Sequence, residues 1–327
     1  MVLWYNRVVE NINLFLESTS LVDFLKNIKD RGVKQAYIFN SSDKIKNVCA
    51  CEIFALILSC ERNNSPCLKC ANCQRILGGN HIDIMHYPKG KNIVVEDIEA
   101  IIDSCYILPA ENEYKIYILN DFEFANISSQ NKFLKTLENP PKNVIFLINT
   151  SNIEMILDTV KSRCEIINLP FLKNEEIKNI LEKSNIDFDE FLLKCSNNEL
   201  GKYLTLVSSD FISQYEFCLN MLENMNASSD ILAYSSKILK QKKSLENFIV
   251  ALTLLFENLL ILSSNKKAQF QQKERIEKLL DKFSLIAIKT ILQNLLKSNN
   301  ELFYSTNENL VIDCLLLNIL EERYKWK

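Results

Sequence analysis

The distribution of helix-breaking residues divides this chain of 327 residues into two parts of different character. All six prolines and four of the five glycines lie before residue 171, so that Gly201 is the only such residue in the rest of the chain. Proline removes a backbone donor and glycine weakens a helix, so the second part is free to form long helices. Because one core rarely grows beyond about 250–300 residues, we expect two or three domains.

Short apolar runs alternate with helical patterns in the first part. The runs are 36–39, 82–85, 115–119, 144–148 and 164–169. Near-continuous apolar strands separated by helices indicate a parallel sheet in an α/β fold. A helix expected over 129–138 ends at Asn139-Pro140-Pro141, because a residue before proline avoids the helical conformation.

The second part carries apolar residues every three to four positions, which is the period of an amphipathic helix. We expect a hinge at Pro170, a small helical unit after it, and a larger helical bundle behind that unit. The stretch 248–262 has a broad apolar face that is typical of a buried core helix, although part of such a face can also pack against other subunits. It is too short to span a bilayer, and Thr253, Glu257 and Asn258 interrupt it.

Four of the eleven cysteines stand in one short run, Cys60-x6-Cys67-x2-Cys70-x2-Cys73. Two overlapping Cys-x-x-Cys turns direct three thiolates to one point and Cys60 can complete a tetrahedron, so the run predicts a structural zinc site. Four thiolates leave no open position for water, and the zinc would be catalytically silent. Redox chemistry and ordinary core cysteines remain as alternatives. A disulfide framework would need a secreted chain, and we expect none because the first residues lack the apolar core of a signal peptide.

The loop after the first strand, 40–48, is where an α/β fold would bind a nucleotide phosphate. A phosphate loop needs glycines, so that backbone N–H groups can surround the phosphate. No glycine occurs between Gly32 and Gly78. We therefore expect a solvated loop in which Lys44 and Lys46 hold at most a weak anion site.

An acidic pair follows the third predicted strand. Asp121 and Glu123 stand where a nucleotide hydrolase presents magnesium ligands. Without a phosphate loop to deliver a triphosphate they have no substrate, and we interpret them as solvated or structural groups.

The charge of the chain bears on its partners and location. The formal net charge is −3, whereas a dedicated nucleic-acid binder shows a basic face or stripe. Partners are therefore expected to be proteins. With neither a signal peptide nor a membrane span expected, the sequence predicts a cytoplasmic protein.

Three further motifs join the cysteine run in a pattern that resembles one known family. They are Asn80-His81-Ile82-Asp83, the segment 130–141 and Ser162-Arg163-Cys164, which together with the cysteines cover about 105 residues. The pattern is similar to the delta-prime subunits of the bacterial DNA polymerase III clamp loader, which have an AAA+ fold. The resemblance implies an α/β AAA+ parallel-sheet base over 1–169 with the zinc knuckle at 60–73, a small helical lid over 170–208 and an all-α collar over 209–327. The second part of the chain matches in length and character only.

The resemblance also implies a role for Arg163. In that family the Ser-Arg-Cys element supplies an arginine finger, which here is Arg163 flanked by Ser162 and Cys164. A guanidinium is permanently charged and forked, and can stabilise charge on γ-phosphate oxygens. The nucleotide served would belong to a neighbouring subunit. From the residues alone, an arginine before a strand is more often solvated or paired in a salt bridge.

The motor subunit of the same loader is similar too, but it keeps an intact phosphate loop and a Gly-x-x-Arg sensor in its lid. Here Gly201 stands where that arginine would fall. The phosphate loop, the acidic pair and the lid arginine are altered together, which indicates a subunit that binds no ATP.

The resemblance implies a stator that does not hydrolyse ATP. It would join gamma/tau motor subunits and the delta subunit in a five-membered ring that places the sliding clamp on primed DNA, with the collar holding the ring together. His81 and His86 are interpreted as structural residues, not as zinc ligands. The alternatives are an ATP-hydrolysing motor of the gamma/tau type and a zinc-dependent nucleic-acid-binding module.

Overall fold

The structure is a computed structural model that describes residues 11–88, 92–208, 211–240, 245–264, 272–303 and 307–325. The chain forms two compact units, residues 1–204 and residues 205–327. The first unit contains a sheet with helices, and the described residues of the second unit are helical apart from short connections. The division into three domains at 169/170 and 208/209 stays a prediction.

A five-stranded sheet forms the centre of the first unit. Its strands are β1 (Ala36–Asn40), β2 (Ile84–Tyr87), β3 (Lys115–Leu119), β4 (Val144–Thr150) and β5 (Glu165–Asn168). All pairings are parallel, and the strand order is β2-β3-β4-β1-β5. The predicted parallel α/β fold is confirmed.

The second strand begins two residues later than predicted. Directly before it, the carboxylate of Asp83 accepts the N–H groups of Ala110, Glu111 and Asn112 at 2.7, 2.8 and 2.9 Å. Burial alone raises the pKa of Asp83, but these three hydrogen bonds outweigh it and the pKa is lowered. The carbonyl oxygen of Asp83 accepts the N–H of Ile116 in β3 at 2.8 Å. Ile84 is the first residue of β2 in register with β3.

The first unit also contains helices. They are α1 (Thr19–Asp30), α2 (Lys44–Ser59), α3 (Ala71–Leu77), α4 (Val95–Cys105), α5 (Ile127–Glu138), α6 (Asp158–Lys161), α7 (Asn174–Lys183) and α8 (Glu190–Cys195), while α9 (Leu200–Ser208) crosses the boundary between the units. Helix α2 is buried along nearly its whole length, and its Phe54 packs edge-on against Tyr37 of β1 at 5.2 Å between ring centroids. The core with α4 and α5 includes Phe146 of β4, which packs edge-on against Phe133 at 5.0 Å.

The carboxyl ends of the strands meet at one edge of the sheet, because all strands are parallel. Buried amide side chains connect the loops there. Asn149 donates to Oδ1 of Asn120 at 2.6 Å, and Asn47 donates to the carbonyl oxygen of Thr150 at 2.7 Å. This edge carries the loop after β1 and the acidic pair after β3.

The second unit is a bundle of helices. They are α10 (Phe211–Asn224), α11 (Ser228–Lys240), α12 (Leu245–Ser264), α13 (Lys273–Leu280), α14 (Leu285–Phe303) and α15 (Glu308–Lys325). Helix α12 packs against α10, α13 and α14. Its apolar face is buried within the unit, with Leu252, Leu255 and Leu259 each fully buried. The interpretation as a core helix is the one that these contacts support.

Helix α12 is longer than its apolar stretch suggested. The 18-residue window Asn247–Ser264, with a mean hydropathy of 1.7, is long and apolar enough to cross a membrane by those two criteria. Length therefore does not exclude a membrane span, contrary to the expectation from the sequence. The packing inside the bundle accounts for the apolar residues instead.

Candidate functional site

The four predicted zinc ligands lie together where α2 ends and α3 begins. Cys60 follows the last residue of α2, and Cys70 is the N-cap of α3. The four sulfur atoms all lie within 4.8 Å of one another. In a tetrahedral site with Zn–S bonds of about 2.3 Å, the sulfurs are about 3.8 Å apart. The group therefore fits zinc in donor type, number and approximate spacing.

Backbone N–H groups stabilise negative charge on these sulfurs. The N–H groups of Cys67, Cys70 and Cys73 donate to the sulfurs of Cys60, Cys67 and Cys70 at 3.4, 3.3 and 3.5 Å. A hydrogen bond from the Lys69 backbone is the main cause that lowers the pKa of Cys67 to about 6, whereas burial raises the pKa of Cys73. Four thiolates this close repel one another unless a cation lies between them. All eleven cysteines are free thiols, so the structure holds no disulfide framework.

The two histidines are engaged by other protein groups. His81 Nδ1 accepts the N–H of Asp83 at 3.2 Å, and burial lowers the pKa of His81. His86 Nδ1 lies 3.1 Å from a carboxylate oxygen of the fully buried Glu52. Among the described residues, the group of possible metal ligands contains the four cysteines and no histidine.

The prediction of a solvated loop after β1 is wrong. Only residues 41–43 separate β1 from α2. Asp43, Lys46 and Asn47 are buried, with relative exposures of 1%, 2% and 1%. Asp43 is the N-cap of α2, and its carboxylate accepts the N–H of Lys46 at 3.2 Å. The sequence signal was an aspartate directly before a helical pattern, which is a common N-cap.

The two lysines of the predicted loop lie in the first turn of α2 and have different surroundings. Lys46 Nζ donates to the carbonyl oxygen of Pro170 at 3.3 Å and lies 5.2 Å from the centroid of the Phe171 ring. Burial lowers the pKa of Lys46, and the charge of Asp43 opposes that shift. Lys44 is exposed, with Nζ 5.1 Å from the centroid of the Phe124 ring. Lys46 is thus bound to the backbone at the predicted hinge.

The start of helix α9 packs directly on the same loop. The N–H of Gly201 donates to Asp43 Oδ2 at 2.8 Å, and Ser42 Oγ donates to the carboxylate of Glu199. A Cβ at position 201 would lie 2.1 Å from Asp43 Oδ1 and 2.6 Å from Ile45 Cβ. The glycine at the place of the lid arginine therefore has a steric reason, which the sequence comparison did not reveal.

The acidic pair at the end of β3 is built into the fold. Glu123 is 3% exposed, and its Oε1 accepts the N–H and the hydroxyl of Ser151 at 3.0 and 2.6 Å. Asp121 has a left-handed backbone with φ of 50°, and its N–H donates to Asn149 Oδ1 at 3.0 Å. Burial, with the nearby Glu123 as a second cause, raises the pKa of Asp121. The pair was expected to be solvated or structural, and the contacts of Glu123 are those of a structural residue.

Arg163 lies between α6 and β5 and is not part of the cysteine group. Its Nη1 donates to the carbonyl oxygen of Thr159 at 2.8 Å, and its Nη2 forms an ion pair with Glu138 at the last residue of α5. The side chain of Arg163 is 31% exposed and that of Glu138 is 47% exposed. Ser162 caps α6, and burial raises the pKa of Cys164 to about 12. No local pattern in the sequence predicts the pairing with Glu138.

Comparisons with known proteins match this arrangement to one kind of protein. A family model described as "DNA polymerase III, delta subunit" matches residues 17–173. DNA polymerase III subunit gamma of Buchnera aphidicola subsp. Schizaphis graminum is 26% identical over 324 residues, which cover 89% of both chains. Subunit gamma of Buchnera aphidicola subsp. Baizongia pistaciae is 32% identical over 163 residues, covering 48% of this chain and 44% of that protein. Subunit delta' of Bacillus subtilis is 29% identical over 160 residues and 48% of both chains. The matched regions span less than half the length of the last two relatives.

Proposed function

We propose that this chain, whose residues 17–173 match the model described as "DNA polymerase III, delta subunit", is a clamp-loader subunit of the delta-prime type that hydrolyses no ATP itself. The observation that carries the proposal is the capped start of α2. The buried Asp43 carboxylate lies where a phosphate loop leaves N–H groups free. A carboxylate at this place repels a phosphate.

In this proposal the chain acts as a stator in a ring with gamma/tau motor subunits and a delta subunit. The ring would load the sliding clamp on primed DNA in the cytoplasm, and the helices after residue 208 would form the collar. Arg163 would be the arginine finger that completes the ATP site of a neighbouring motor subunit. Its guanidinium is partly exposed, and its contacts are an exposed carboxylate, a carbonyl oxygen and the Ser162 hydroxyl, so it is able to reach a partner.

The finger role predicts a loss of ATP hydrolysis in the assembled complex. In the reconstituted loader, Arg163→Ala should lower the DNA-stimulated ATPase rate several-fold while the subunits still assemble. In GTPases an arginine finger raises the hydrolysis rate by roughly 10³ to 10⁵. The loss expected here is smaller because only one of several ATP sites in the ring would be affected. Arg163→Lys should not restore the rate, because an ammonium lacks the planar fork. Steady-state ATPase assays and size-exclusion chromatography measure both effects.

Arg31→Ala is the matched control, since Arg31 is an exposed arginine at the end of α1. It should leave hydrolysis unchanged. Normal ATPase and clamp loading with Arg163→Ala would rule out the finger role.

A motor of the gamma/tau type is the second candidate. The names of the gamma relatives favour it, including the one that matches along most of this chain. Titration of the isolated chain with ATP and magnesium separates the two functions. The delta-prime type predicts no saturable binding, and micromolar affinity would make the chain a motor candidate instead.

The cysteine group would hold a structural zinc ion through Cys60, Cys67, Cys70 and Cys73. Zinc in finger peptides supplies about 10–16 kcal/mol of apparent binding free energy. Such an ion would fix the segment between α2 and α3, which is otherwise short of secondary structure. No reaction step is assigned to it.

A further inference from the structure

The carboxylate of Asp43 joins two helix starts. Oδ1 accepts the N–H of Lys46 in the first turn of α2 at 3.2 Å, and Oδ2 accepts the N–H of Gly201 in the first turn of α9 at 2.8 Å. Both helices have their partially positive ends directed at this carboxylate. These are the groups that bind phosphate in nucleotide-binding folds.

We propose that Asp43 is a built-in substitute for a nucleotide phosphate, which holds the start of α9 on the loop after β1 when no nucleotide is bound. The proposal rests on the non-hydrolysing role proposed above and adds a mechanism to it. The group that occupies the phosphate position is thus a carboxylate of the chain itself. The start of α9 then keeps one position whatever the concentration of ATP.

Neighbouring contacts fasten the same junction. Ser42 Oγ donates to Glu199, which is 3% exposed and also forms an ion pair with Lys202. Lys46 Nζ donates to the carbonyl oxygen of Pro170 at 3.3 Å. Farther along, Glu176 of α7 accepts the hydroxyl of Ser18 at 2.7 Å and that of Ser20 at 2.8 Å, at the start of α1. The segment after Pro170 is thus bound to the sheet-containing part at three separate places.

The charges at the junction balance without a ligand. Asp43 and Glu199 are the two acidic side chains, and Lys46 and Lys202 are the two basic ones. Burial raises the pKa of Asp43, and hydrogen bonds from the N–H groups of Lys46 and Gly201 oppose that shift. A nucleotide triphosphate would add several negative charges to a site with no unmatched cation in this group. It would also have to displace the start of α9, because no space for even a Cβ exists between Gly201 and Asp43.

The test separates the two roles of Asp43 in the full-length chain. Asp43→Ser keeps an N-cap for α2, but its hydroxyl is too short to reach Gly201 as well. Native-state hydrogen exchange of the amides of α9, from Gly201 to Leu204, should become at least about tenfold faster, while the first turn of α2 keeps its protection. Asp43→Asn keeps the size of the side chain but only one of its two acceptor oxygens, and should give an intermediate rate.

Asp230→Ala is the control, because Asp230 also accepts two backbone N–H groups, from Asn226 and Ala227, but within the helical unit. It should leave α9 unchanged. Unaltered exchange of α9 in Asp43→Ser, with amides of β3 still protected, would overturn the proposal. Protection of α9 in the wild-type chain by 1 mM ATP with magnesium, a probe level of roughly physiological order, would overturn it as well.

The two proposals fail in different assays. If Asp43→Ser leaves α9 unchanged but Arg163→Ala still slows the assembled loader, the substitute role is wrong and the stator role stands. If the wild-type chain binds ATP and magnesium, the non-hydrolysing role is contradicted, and the substitute role that rests on it falls as well.

Discussion

At the scale of single residues, the ion pair between Arg163 and Glu138 decides where the proposed finger rests. The guanidinium is bound inside its own subunit, by Glu138 and by the Thr159 carbonyl oxygen. A finger that serves a neighbour must exchange Glu138 for a γ-phosphate. Glu138 therefore opposes the working position by about the free energy of a surface ion pair, which is about 0.5–1 kcal/mol.

Glu138→Gln is expected to raise the ATPase rate of the reconstituted loader about two- to fivefold, because the conformation in which Arg163 is bound to its own subunit loses its charge partner. The ATPase rate at a fixed subsaturating ATP concentration measures this gain. In the double variant with Arg163→Ala the gain should vanish.

Glu99→Gln is the comparison for that variant, since Glu99 is an exposed glutamate paired with Lys132 on the same unit. It should change nothing. A gain that persists without Arg163 would show that Glu138 acts through the fold and not through the finger.

The sequence was sufficient to predict contacts between residues that are near one another in the chain. The cysteine group follows from spacing alone, because the turns between Cys67, Cys70 and Cys73 fix where the thiols point. The pairs Arg163–Glu138 and Asp43–Gly201 are separated by 25 and 158 residues, and only the fold brings them together. No local pattern marks such pairs, so the buried state of Asp43 and Lys46 was missed.

At the scale of elements, the contact between α9 and the loop after β1 predicts an unusual effect of alanine at position 201. Glycine to alanine within a helix normally stabilises by about 1 kcal/mol. Here the new Cβ would lie 2.1 Å from Asp43 Oδ1 and 2.6 Å from Ile45 Cβ. Gly201→Ala should therefore lower the free energy of unfolding by about 1–3 kcal/mol, as measured by urea denaturation.

Gly78→Ala gives the reference value for this measurement. Gly78 has a φ of −81°, and the nearest atom to its added Cβ is 3.3 Å away. Its effect should stay within about 0.5 kcal/mol. A Gly201→Ala protein as stable as the wild type would mean that α9 does not press on the loop.

The strands were predictable as elements because parallel strands buried on both faces give near-continuous apolar runs. Three of the five begin at the predicted residue, and the others shift by one or two positions. Before β2, the carboxylate of Asp83 accepts three N–H groups from residues 110–112, and a local apolar pattern does not reveal such distant contacts. The expectation that α12 is too short to span a bilayer was also wrong, because the helix extends through polar residues at both ends of its apolar face.

At the scale of the whole molecule, the chain consists of two compact units, and the proposed zinc belongs to the first. We expect the wild-type protein, purified under reducing conditions without chelator, to carry about one zinc ion per chain. Cys70→Ser removes one thiolate and should lower that content, as measured by metal analysis. Exchange of amides in the segment 60–77 should become at least about tenfold faster, because the metal no longer fixes it.

The helical unit supplies the internal reference for this experiment. Amides of α12, such as that of the buried Leu255, should keep their wild-type exchange rates in Cys70→Ser, because the unit has its own core. Cys314→Ser, at an exposed cysteine of α15, should change neither zinc content nor exchange in 60–77. A wild-type protein without zinc would refute the metal assignment. Faster exchange throughout α12 would instead refute the independence of the two units, because it would mean that the chain unfolds as one cooperative body.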